Sequence, residues 1–183
     1  MEYTTSEGRV VPLRRVAPRY IDQIRAKHTI PEPPTYSFKA AGGVTVTLPH
    51  DEESVKQSGP EAAQVWSEYQ TARRIALREQ EQEVIEFLMY HCITEDPPPT
   101  SEWSVDFKLH GLEPPDDSDP IQFKVAWVQS EIILNEDQDF PGLLTKLYEM
   151  GGLVDSAKAL EFEGFFRLIM ERLASAARGG AAK

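Results

Sequence analysis

A lone cysteine, a deficit of positive charge and the lack of any long apolar run narrow what this 183-residue chain can be. Cys92 has no second thiol to pair with, so no internal disulfide is available. No stretch approaches the roughly 20 apolar residues that span a bilayer, and together these points favour a reducing cytosol. Met1-Glu2-Tyr3-Thr4 lacks the basic start and apolar segment of a secretory signal, so export is not expected. Only 19 Lys and Arg stand against 30 Asp and Glu, a net charge of -11. Nucleic-acid binding rests on positive charge and counterion release. The expectation is therefore no nucleic acid and no membrane as partner, and a basic protein surface fits better.

Catalytic patterns are missing as well. His28, His50, His91 and His110 are scattered, with neither an HExxH spacing nor a cysteine-histidine set for zinc. Asp137, Asp139 and Gly142 echo the start of a calcium loop, but Pro141 takes a ligand position and Tyr148 stands where the bidentate glutamate belongs. His91 and Cys92 are adjacent, which on a helix turns them about 100° apart, and an apolar helix end buries its cysteine. Gly42-Gly43 lacks the lysine and hydroxyl of a phosphate loop, and no serine sits in a nucleophile elbow. No catalytic, metal or cofactor-binding residue is assigned, and a non-enzyme is expected.

What is present is helical periodicity. Ser58-Gly59-Pro60-Glu61 begins a helix with a cap, a first-turn proline and an acid favoured by the helix dipole. Ala62, Val65, Trp66, Tyr69, Ala72 and Ala76 follow at spacings of three and four, and Val84, Phe87, Leu88 and His91 resume the stripe before Asp96-Pro97-Pro98-Pro99. A helix from Pro60 to about Cys92 would extend on the order of 50 Å. Six polar residues, Arg78 to Glu83, mark either a passage out of the core or a break into a helical hairpin.

Before this helix, Pro12, Pro18, Pro31, Pro33 and Pro34 leave room for one short helix near Pro18 to His28, with Ile21 and Ile24 as its apolar face. Tyr36 and Phe38, then Val44, Val46 and Leu48, alternate about Gly42-Gly43 as a β-hairpin. A lone hairpin is marginal in water, so it lies on a helix or pairs with another chain. After the long helix, the spacing predicts helices from Ser101 to Gly111, from Pro120 to Ile132, from Leu143 to Met150, and from Val154 to about Leu173.

The expected fold is mainly α, with about five helices including one long amphipathic helix, one short β-hairpin and an extended N-terminal arm. Its divisions are a basic, proline-rich arm over 1–34, a helical domain over 35–178 with the hairpin at 35–48, and a disordered tail over 179–183. Residues 1–30 hold six basic residues against three acidic ones, a balance of +3 that leaves -14 for the rest. Either these basic residues solvate one short helix, or the arm of one copy docks on the acidic body of the next.

The layout resembles that of the tail assembly chaperones of long-tailed, siphovirus-type phages and prophages. The matching pieces are Pro31-Glu32-Pro33-Pro34-Thr35-Tyr36, the strand pair across Gly42-Gly43, and Trp66 with Tyr69 early in the long helix. Glu102-Trp103, Gly111-Leu112 and Pro114 follow, then Val128-Gln129-Ser130-Glu131-Ile132-Ile133, Leu143 through Gly151-Gly152-Leu153, and Phe165-Phe166-Arg167, so most of residues 12 to 170 take part. The resemblance implies a non-catalytic helper in the host cytoplasm that coats the aggregation-prone tape measure protein, recruits the major tail protein and leaves the finished tail. Val65, Trp66, Tyr69 and Ala72 are then the expected client-binding residues. Copies along a fibre would form a homo-oligomer, for which Arg14, Arg15, Arg19, Ile21, Ile24, Tyr36, Phe38, Val44 and Val46 are the self-association candidates. The alternative is a virion structural protein, a tail, neck or head-completion subunit locked to its neighbours through the arm.

Overall fold

Proline and glycine set the boundaries of nearly every element in the computed structural model, which describes residues 1–99, 103, 118–133 and 137–154. Those residues form a mainly α fold with five helices. In chain order they are β1 (Glu2–Thr4), β2 (Val10–Pro12), α1 (Pro18–Lys27), β3 (Thr35–Lys39), β4 (Thr45–Pro49), α2 (Glu52–Ser58), α3 (Pro60–Cys92), α4 (Pro120–Glu131) and α5 (Asp139–Met150). The chain divides into two units, one holding Met1–Gln23 with the described residues from Glu83 onward, the other Ile24–Gln82.

In the first unit, β1 and β2 pair antiparallel, with Tyr3 opposite Val11. Their turn closes through Gly8, at φ +83°, whose N–H donates to the Thr5 carbonyl at 3.0 Å. The chain then straps the end of α3: Leu13 bridges to Ile93, and the Arg14 N–H donates to the Cys92 carbonyl at 2.8 Å. These contacts lay the start of the arm along the end of α3. Val11, Leu13 and Ile21 are buried with Val84, Leu88, Cys92 and Ile93, so the first 23 residues supply part of the core.

Asp119 caps α4, its carboxylate accepting from the N–H groups of Ile121 and Gln122 at 3.0 and 3.1 Å, with Pro120 in the first turn. Val125, Trp127, Val128 and Ile132 are buried, while Ile121, placed on the same face by its spacing, is exposed. α5 ends in a Schellman motif, in which Gly152, at φ +69°, donates to the Glu149 carbonyl and Leu153 to that of Tyr148. Gly151 must be small for a different reason: a Cβ there would stand 2.8 Å from Ile21 Cδ1 and 3.0 Å from Leu88 Cδ2.

In the second unit, β3 and β4 pair from Thr35 opposite Pro49 to Lys39 opposite Thr45. Gly42 and Gly43, both at positive φ, make the turn. The pairing sets Tyr36, Phe38, Val46 and Leu48 on one side and the serine and threonines on the other. The short α2 starts on a capping box, Ser54 N–H to Asp51 Oδ1 at 2.7 Å and Asp51 N–H to Ser54 Oγ at 2.9 Å. Gly59, at φ +91°, separates it from α3.

The long helix runs unbroken for 33 residues through Arg78–Glu83, so the alternative of a helical hairpin does not hold. That polar stretch is where the two units divide. Glu81 lies 3.7 Å from Arg25, and Gln80 donates to the Arg25 carbonyl at 3.0 Å. Burial raises the Glu81 pKa, and the nearby Arg25 lowers it by less. The expected helix over 101–111, apart from Trp103, the last helix beyond Val154 and the tail over 179–183 lie outside the described residues.

Candidate functional site

Burial is distributed very unequally. Of the described large apolar residues that are buried, only Ile24 and Val55 belong to residues 24–82. Six of the ten described large apolar side chains left exposed belong to that same unit: Phe38, Val44, Leu48, Val65, Ile75 and Leu77. The cause is local. Between Pro60 and Gln82 no α3 side chain is buried, and both strands of the hairpin keep every residue exposed or half-buried. Among the described residues, no apolar layer covers the exposed apolar side chains of this helix segment and of the hairpin.

The expected client-binding residues fall on this uncovered helix. Val65 is 50% exposed, Ala72 is exposed, and Trp66 and Tyr69 are half-buried with ring centroids 5.1 Å apart. The self-association candidates separate into three groups. Ile21 and Ile24 are buried and unavailable to a neighbour. Tyr36 and Val46 are half-buried, and Phe38 and Val44 exposed, on the hairpin. Arg19 lies over its neighbour Tyr20, 5.0 Å from the ring centroid. Arg14 and Arg15 line a cleft.

That cleft belongs to the first unit, has a volume of about 530 Å³, and is lined by Arg14, Arg15, Val16, Ala17, Tyr20, Phe87 and His91. Its aromatic floor is built by one-turn spacing on α3, which puts Phe87 and His91 in contact at 4.4 Å, with Tyr20 at 6.3 Å from Phe87. Arg14 is steered into place by its Nε–H, which donates to the His91 carbonyl at 2.6 Å. The guanidinium of Arg14 has no carboxylate within ion-pair range among the described residues, and the side chain of Arg15 has no polar partner there at all. Burial lowers the His91 pKa first, and the charges of Arg14 and Lys124 lower it further. The first turn of α1 carries no acid. Among the described residues, no carboxylate compensates the positive charge at this point.

Other ionisable groups are committed to structure. Arg9 pairs with Glu95 at 2.6 Å, donates to the Glu131 carbonyl at 2.8 Å and lies over the Trp127 ring. Lys124, only 5% exposed, donates to the Ile93 carbonyl at 2.7 Å and lies 5.6 Å from the Tyr90 ring centroid. Burial lowers its pKa, against the attraction of Asp96. Asp139, where the sequence hinted at a calcium loop, is buried and accepts from the N–H and Oγ of Ser6 at 2.7 and 2.9 Å. Cys92 is buried, and desolvation pushes its thiol up to about 12. Among the described residues no group of three or more His, Cys, Asp or Glu side chains is placed to hold a metal ion, and no helix is long and apolar enough to cross a membrane.

No family model, no curated protein and no solved structure matches the chain. Among the described residues, two surfaces stand out: the exposed helix and hairpin of the second unit and the cationic aromatic cleft of the first. Neither brings a nucleophile and a general base together. Both have the chemistry of recognition: apolar area open to water in one, and in the other guanidiniums beside rings with no carboxylate partner among the described residues. The cleft was not visible in sequence, because Arg14 and His91 are 77 residues apart and only the strap along α3 joins them.

Proposed function

We propose that the chain is a non-catalytic assembly chaperone of a long-tailed phage or prophage, which coats the tape measure protein in the host cytoplasm and helps recruit the major tail protein. One observation carries this reading: the 24–82 unit leaves its apolar side chains outside, with only Ile24 and Val55 buried. A tape measure protein is a long helical chain whose apolar stripes need shielding until tail subunits enclose it. An amphipathic helix offering Val65, Trp66, Tyr69 and Ala72 supplies a complementary face, on the pattern of a helix laid against a groove. The net charge of -11 supports the same reading, because it keeps a coat of many copies dispersed.

The test is co-expression with the neighbouring long helical gene product. The wild-type chain is expected to hold that product in the soluble fraction, and Val65→Ser/Tyr69→Ser to release it into the pellet while the variant itself stays folded by circular dichroism. A client that stays insoluble beside the wild-type chain overturns the proposal. Mass spectrometry of purified virions separates the remaining possibility: stoichiometric presence in the particle would make the chain a tail, neck or head-completion subunit instead.

A further inference from the structure

The cleft of the first unit poses a separate question, because among the described residues its guanidiniums have no carboxylate partner. Arg15 touches no polar group among the described residues, and Arg14 spends only its Nε–H, on a carbonyl. The second unit carries the opposite surplus. Where β4 passes into α2, Leu48 and Pro49 are followed by Asp51, Glu52 and Glu53, all exposed except the intervening half-buried His50. Asp51 is used as a cap, but the carboxylates of Glu52 and Glu53 have no cationic partner among the described residues. An apolar residue leading into acids matches a ring-lined cleft rimmed by guanidiniums.

We propose that this cleft receives the Leu48–Glu53 segment of a second copy of the chain, with Leu48 and Pro49 against the rings of Tyr20 and Phe87 and the carboxylates of Glu52 and Glu53 on Arg14 and Arg15. Guanidinium and carboxylate groups match in geometry, which gives the contact direction as well as charge. The two surfaces differ, so the contact is heterologous: each bound pair keeps one free cleft and one free segment, and further copies add head to tail. The inference stands apart from the client-binding reading of the second unit, since the contact needs no third protein.

The experiment is sedimentation equilibrium of the full chain over about a hundredfold range of concentration at low salt, where mass action separates association between copies from a contact within one. The wild-type mass is expected to climb with concentration, and to fall back when salt shortens the Debye length from about 10 Å at 0.1 M to about 3 Å at 1 M. Arg14→Glu/Arg15→Glu and Glu52→Lys/Glu53→Lys should each weaken association about tenfold or more. Mixing the two variants should restore it, because every acidic cleft then meets a basic segment and every basic cleft an acidic one. Arg15→Glu alone, at a side chain without a polar partner among the described residues, covers the case in which loss of the Arg14 bond to the His91 carbonyl harms the fold. A wild-type chain that stays monomeric, variants that associate like the wild type, or a mixture that fails to recover overturns the proposal.

Discussion

Replacing Asp139 with alanine tests how the first six residues are held. The buried carboxylate accepts the Ser6 N–H at 2.7 Å and the Ser6 hydroxyl at 2.9 Å, and Tyr3 OH stands 3.4 Å from Oδ1 while bonding the Asp139 carbonyl at 3.1 Å. A hydrogen bond to a charged group contributes about 1.5–3 kcal/mol, and water recovers part of this at Ser6, which is exposed. The two Ser6 bonds together then amount to about 2–4 kcal/mol. For a chain of this length each kcal/mol shifts the melting temperature by about 2–4 °C, so Asp139→Ala should melt roughly 5–15 °C lower. Asp139→Asn keeps one carbonyl oxygen for the Ser6 N–H and turns an NH₂ toward the hydroxyl, so it should lose about half as much. Calorimetry gives the melting temperatures, and amide exchange at Tyr3 and Val11 reports whether the β1–β2 pair opens first. An alanine variant that melts within about 2 °C of the wild type, or an asparagine variant as damaged as the alanine one, would refute the reasoning.

Three further outcomes follow from the same contacts. Gly151→Ala forces a methyl to within 2.8 Å of Ile21 Cδ1, and the overpacking should cost about 1–3 kcal/mol in urea unfolding. The folded-state pKa of His91 lies below its ordinary value, so the unfolded chain binds that proton more tightly and stability falls as the pH drops through about 6.5. His91→Phe should flatten that part of the stability curve between about pH 7.5 and 5.5, and an unchanged slope counts against the assignment. Lys124→Met keeps the packed stem but leaves the Ile93 carbonyl unpartnered, for an expected loss of about 1–3 kcal/mol by thermal unfolding.

The helices showed in sequence where periodicity and punctuation agreed. Pro60 and Asp119-Pro120 mark real starts, Gly151-Gly152 a real stop, and Gly42-Gly43 the hairpin turn. β1 and β2 escaped because three residues each are too few to show an alternation. α2 escaped because Val55 is its only apolar residue facing inward, although Asp51 and Ser54 stand at the spacing of a capping box. The prolines of the first 35 residues leave little periodicity to read there, yet Pro12 ends a strand and Pro18 begins a helix, so both are compatible with packing. The burial of Lys124 had no sequence signal, since a lysine on an apolar face reads as a solvated edge until the Ile93 carbonyl is seen within reach of it.

The sealed thiol at the end of α3 has a practical corollary. With Cys92 its single cysteine and that one inert under native conditions, the protein presents no background to a maleimide dye. A cysteine introduced at Val65 or Val44 would therefore carry the only attached dye, and its emission would register the arrival of any partner on that patch.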